Sequence, residues 1–174
     1  MEQRRLAGPG FPGDTGAPDS RLAQSLAAYA TDATAYADVL AAICGARLLV
    51  PVVAVLGEVE LDDRGLAHDK SSDMATVLLT GADGRQALLA FTGTSTMAAW
   101  DPQARPVPVT ATVAAQSAVQ EGAAALLVDV AGPVRVVIEG DDLVRLAAGW
   151  TLGRVGDRWA WIGSPGESSD SIRR

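Results

Sequence analysis

Cysteine and histidine are all but absent from this chain: Cys44 and His68 stand alone among 174 residues. A lone cysteine excludes an internal disulfide, and with it the small stapled scaffolds of oxidising compartments. A lone histidine means that any Ser-His-Asp or Cys-His mechanism must run through His68. No motif surrounds it, and Gly-x-Ser-x-Gly occurs nowhere in the chain. Aromatic residues are scarce, with four Trp, two Tyr and two Phe. The core therefore has to be built from Ala and branched aliphatic side chains. Positive charge is in deficit, 14 Lys and Arg against 21 Asp and Glu, for a net charge of −7. That balance argues against a nucleic-acid backbone or an anionic membrane surface as partner, since both require a basic surface, and it suits a basic protein partner. The longest apolar run, Leu48 to Leu56, is too short to span a bilayer. Gly8, Pro9, Gly10, Pro12 and Gly13 occupy the stretch where a signal peptide would carry its hydrophobic region. A cytoplasmic protein is expected, and no cofactor.

The apolar content, 48%, suffices for one real core, and the length suits a single domain. Residues 1–18 are rich in Gly and Pro without periodicity and read as a flexible arm. From Leu22 the apolar residues recur at helical spacing through Leu26, Tyr29, Ala33, Tyr36, Leu40 and Ile43. Asp19 or Ser20 can cap this helix and Gly45 can end it, while Thr31-Asp32 can split it in two. Leu48 to Leu56 reads as a strand covered on both faces, with Pro51 marking an unpaired side or a bulge. Met74 to Thr80 and Gln86 to Phe91 flank the turn cluster Gly81–Gly84 and read as a hairpin. A short helix, Thr94 to Trp100, is stopped by Asp101-Pro102. Helix is expected again over 111–120, strands over 124–130 and 134–138, and a helix capped by Asp141 or Asp142. A Gly156-Asp157 turn then makes a C-terminal hairpin carrying Trp159 and Trp161. The expected fold is α/β (α+β), a mixed β-sheet packed against helices, with the domain over 19–150 and a hairpin with frayed tail over 151–174.

The order and spacing of several segments give a resemblance. Leu48-Leu49-Val50-Pro51 follows a helix, Asp83-Gly84 precedes Ala87 to Thr92, and Trp100 follows a short helix. Ala125 to Asp129 then leads into Gly132-Pro133. Together these resemble the N-terminal domain family of the enhanced serine sensitivity protein B (SseB), in its actinobacterial form. The resemblance implies a mixed α/β fold in a cytoplasmic protein and supplies no catalytic residues. Many relatives carry Asn-Pro-Gly where this chain has Asp129 to Gly132.

Five groups of residues are candidates for a functional role. Glu58, Glu60 and Asp62 project to one side of an extended segment, about 6–7 Å apart at successive positions. With His68 they are candidates for a divalent cation site. Val59 and Leu61 alternate with the acids, so a half-buried strand with a charged wet face accounts for the same residues. Lys70-Ser71 could make an activated nucleophile only if burial depressed the lysine pKa. Thr92 to Thr96 could bind an anion at a helix start, although Ser and Thr there are ordinary caps. Cys44 reads as a small core residue rather than a thiolate. Trp159 and Trp161 either form a recognition surface or cover the domain edge.

A non-catalytic protein-interaction or binding module is the reading these residues favour, with homo-oligomerisation left open. The alternative is a metal-assisted hydrolase or transferase using the acidic stretch 58–69.

Overall fold

The structure, a computed structural model, describes residues 11–55 and 73–163. Helix α1 (Ser20–Tyr29) begins where the Leu22 amide donates to the Asp19 carboxylate at 3.0 Å. The long apolar stripe breaks after it. The Asp32 carboxylate accepts from the amide and the hydroxyl of Thr34, at 2.9 and 2.7 Å, and starts a single tight turn, Ala33–Ala35. Helix α2 (Tyr36–Cys44) follows and buries five consecutive residues, Val39 to Ile43, as a helix enclosed on most sides must.

Strand β1 (Arg47–Val55) is the spine of the sheet system. It pairs antiparallel with β5 (Arg105–Thr110) along one side and with β2 (Asp73–Thr76) along the far part of the other. A second sheet has the order β3 (Leu78–Thr80), β4 (Gln86–Ala90), β6 (Ala125–Val128), β7 (Val136–Glu139), in which only β4 and β6 run parallel. Leu49 and Phe91 exchange both backbone hydrogen bonds at 2.8 Å and splice the two sheets together. Pro51, with no N–H to offer, stands where β1 passes from Phe91 to its pairing with β2.

The expected 74–80 strand is divided. Its first half pairs with β1 and its second half with β4, while the Val77 carbonyl between them accepts from the Leu89 amide at 3.2 Å. Strand β5 carries two prolines, Pro106 and Pro108. The ladder alternates, and the Leu49 amide faces β4. In the antiparallel register Val107 and Val109 therefore bond to β1, and both prolines face the free edge, where no donor is needed.

Alternation along the strands makes two apolar layers. Leu48, Val50, Leu88, Ala90, Leu126, Val128, Val136 and Ile138 face α1, α2, α4 (Ala111–Gln120) and α5 (Gly140–Ala147). Helix α4 meets this face through Ala111, Ala114, Ala115 and Ala118, all fully buried, which lets its backbone come close. On the opposite face Leu49, Leu89 and Phe91 meet Met97 of α3 (Thr94–Trp100), and the Trp100 ring lies 5.6 Å from that of Phe91, tilted by 30°. Helix α3 covers only part of that face, and Leu79 and Val137 remain exposed.

The C-terminal hairpin β8 (Thr151–Val155) and β9 (Arg158–Ile162) turns at Gly156-Asp157. Gly156 has φ +66° while Asp157 stays at negative φ, the requirement of a tight turn with glycine first. The expected cap of α5 is replaced by another arrangement. Glu139 occupies the cap position without a side-chain bond, and Asp142 instead accepts from the Trp161 indole at 3.0 Å and the Tyr36 hydroxyl at 3.3 Å. Among the described residues no helix is long and apolar enough to cross a membrane.

Candidate functional site

The parallel pair β4 and β6 ends side by side, and Thr92 and Asp129 follow those two ends. In open α/β sheets the space beyond the carboxyl ends of parallel strands is where ligands gather. Asp129 has φ +55°, the only non-glycine at positive φ among the described residues. Asp tolerates this left-handed conformation better than most side chains because its short carboxylate can bond locally. The turn aims that carboxylate at Thr92, whose amide donates to Oδ1 at 2.9 Å and whose hydroxyl donates to Oδ2 at 2.7 Å. Both residues are 2% exposed, the only buried polar side chains among the described residues.

The bonding continues outward. Arg47, at the start of β1, donates to the Thr92 carbonyl at 3.1 Å. Its other terminal nitrogen donates to the Asp14 carboxylate at 2.8 Å and the Ala17 carbonyl at 2.7 Å. Thr94 closes the strap, its amide donating to the Gly16 carbonyl at 2.8 Å. Gly93 is required here, since a Cβ on it would lie 2.9 Å from Pro18 and 3.0 Å from the Gly16 carbonyl. Residues 14–18, read from composition as part of a flexible arm, thus make specific bonds to β1 and α3.

Above this floor lies an apolar cleft of about 430 Å³ between α1 and the β6–β7 turn. Ala23, Leu26, Ala27 and Ala30 of α1 form one wall and Pro133 and Val134 the other, with Thr92, Thr96 and Asp129 at the base. A size of this order is ordinary for a ligand or side-chain pocket. Every buried side-chain nitrogen and oxygen among the described residues has a partner. A polar base with its bonds made inside the fold can orient an occupant.

The residues singled out by sequence fare differently. Glu58, Glu60, Asp62, His68, Lys70 and Ser71 lie outside the described residues. Among the described residues no three His, Cys, Asp or Glu side chains converge as a metal site would. The 92–96 segment does not cap α3 through a hydroxyl. Gly93 holds the cap position, and the Thr94 amide is engaged by Gly16. Cys44 is half-buried, and burial pushes its thiol above the usual range, which suits a packing role. Trp161 is half-buried against the helix-side core and tied to Asp142. Trp159 lies under the Arg154 guanidinium, 5.1 Å from its ring centre. Asp129 and Arg47 were missed as site residues. The available signal was a charged residue ending a buried apolar run, ahead of Gly132-Pro133.

No curated protein and no solved structure matches this chain. The model of the SseB protein N-terminal domain family matches residues 22–145, from the first turn of α1 to the last turn of α5. The match takes in β4, β6, Thr92, Asp129 and most of the cleft, and the chain belongs to the SseB N-terminal domain family.

Proposed function

We propose that this domain is a non-catalytic cytoplasmic module that binds a protein partner, and that the cleft beside α1 is its docking surface. The observation carrying this reading is the division of labour at the site. The polar groups of the floor have their bonds within the fold: Thr92 donates to both oxygens of Asp129, and the Thr96 hydroxyl donates to the Gly93 carbonyl. What faces outward is the apolar wall of exposed Ala23, Ala27 and Ala30 on α1. Small side chains on an exposed helix face permit close approach of a partner, and the apolar area they present gains from burial. The net charge of −7 favours a basic partner, chiefly through the rate of encounter.

Affinity capture from the native organism, with wild type beside Ala27→Asp, tests this. Ala27 is exposed on its helix, so the substitution leaves the fold intact while placing a charge in the cleft. The expected result is a partner retained by the wild type and lost by the variant. Identical captured sets would rule out the cleft as the binding surface.

A further inference from the structure

The C-terminal hairpin stands apart from the rest of the fold. Strands β8 and β9 pair with each other and, among the described residues, with no other strand. No backbone–backbone hydrogen bond among the described residues joins 151–163 to another element. The core also closes without the hairpin, since the buried apolar residues described run from Leu22 to Leu146. The family match likewise ends at residue 145, before β8 begins.

Few contacts hold the hairpin down. The register sets Leu152 opposite Trp161, so both side chains share one face, and both pack half-buried against the helix-side core. The Trp161 indole donates to Asp142 of α5 at 3.0 Å. Strand β8 lies along α2, where the Leu152 backbone meets the Cys44 thiol. Further along the same face Arg154 and Trp159 occupy each other, the guanidinium 5.1 Å from the ring centre. On the other face Val155 and Ile162 are 60% and 48% exposed. A two-stranded hairpin by itself is only marginally stable in water, so the contacts of Leu152 and Trp161 decide whether it stays docked. Gly149, at φ +79°, links it to α5. Trp150 clasps the far end of the hairpin, its ring 3.2 Å from where a Cβ on Gly163 would lie.

From this self-contained pairing and the few contacts beneath it we infer that the hairpin is a strap. It lifts from α2 and α5 as a unit while the domain stays folded, and it uncovers Cys44 and the side of Asp142 that holds the indole. Openings of this kind cost less than global unfolding, because they break few buried contacts. The strap does not depend on the docking reading of the cleft beside α1.

Hydrogen exchange of the full chain, followed by NMR at several low urea concentrations, tests the strap without any substitution. The cross-strand amides of β8 and β9 are expected to be less protected than those of β4 and β6. Their exchange should also respond only weakly to urea, since the opening exposes little surface. Equal protection and equal urea dependence in the two sets would overturn the inference, because the hairpin would then open only when the whole domain unfolds. Trp161→Phe keeps an apolar ring and removes the bond to Asp142, and it should speed exchange of the hairpin amides about tenfold, the effect of one hydrogen bond to a charged group. Cys44 is the chain's single thiol, so its labelling by a disulfide reagent in the native state reports the same lifting. That rate should rise by the same factor in Trp161→Phe. Faster hairpin exchange with unchanged Cys44 labelling would mean that the strands fray without leaving α2, and it would overturn the strap as well.

Discussion

Leu89 and Tyr36 show how much a single position depends on which face it meets. Leu89 is fully buried on the α3 side of β4, between Leu49, Phe91 and Met97. Truncating it to Ala is expected to cost about 2–5 kcal/mol, the range for a buried leucine whose surroundings relax only in part. Urea unfolding of the variant measures this, and a cost below about half a kcal/mol would contradict the burial. Tyr36 is tied to α5 through Asp142, with Tyr29 6.2 Å away ring to ring. Burial first, and then the nearby Asp142 carboxylate, raises its phenol well above the ordinary value of 10.0. In the unfolded chain the phenol ionises near its ordinary pKa while the folded chain still holds the proton. The stability contributed by Tyr36 is therefore complete below about pH 10 and falls as the pH rises beyond it. Tyr36→Phe should lose the hydrogen bond at neutral pH, about 0.5–1.5 kcal/mol. Its stability should also fall less between pH 9 and pH 11 than that of the wild type, measured by denaturant midpoints on both proteins (about one unit either side of the free phenol value). Parallel pH profiles would contradict the coupling.

At the scale of elements, the segment before α1 departs most from what composition suggests. Gly and Pro give residues 11–18 little apolar surface, and on composition alone their removal should be harmless. In the structure Asp14, Gly16 and Ala17 satisfy Arg47 and the first amide of α3. Among the described residues, deleting residues 1–17 leaves a mostly buried guanidinium with the Thr92 carbonyl alone. The expected loss is about 1–3 kcal/mol, the cost of unmade bonds to a charged group. Asp14→Ala in the full chain should reproduce part of it. An unchanged melting temperature in both proteins would mean that the strap contributes nothing in solution. Strand β5 departs for the opposite reason. Its two prolines lack an N–H, and in this register they face the open edge, where a missing donor hinders pairing with another chain.

At the scale of the whole molecule, among the described residues four helices lie on one side of the spliced sheets and α3 on the other. The net charge of −7 gives the chain a field of predominantly negative sign. The acidic stretch with Glu58, Glu60, Asp62 and His68 contributes to that charge. If those residues held a divalent cation, Mg²⁺, Mn²⁺ or Zn²⁺ would raise the melting temperature by mass action, and Glu58→Gln/Glu60→Gln would abolish the rise. The expected outcome of a thermal-shift scan is no rise with any of the three. A clear rise lost in the double variant would move the reading toward a metal-assisted hydrolase or transferase.

Local patterns in the sequence determined the fold class, the split of the first helix at Asp32, the existence of β1 and the Gly156-Asp157 hairpin. Each depends on side chains acting within a few residues, through caps, turns and periodicity. Tertiary structure decided everything that depends on which strand lies beside which. Nothing local shows that the 74–80 stretch serves two sheets, that Pro106 and Pro108 fall on the unbonded side of β5, or that Asp142 joins Tyr36 to Trp161. The candidate site belongs to this second group. Thr92 and Asp129 are 37 residues apart, and Asp14 and Arg47 are 33 apart. Only the parallel register of β4 with β6, and the return of the N-terminal segment along β1, bring them into one bonded chain.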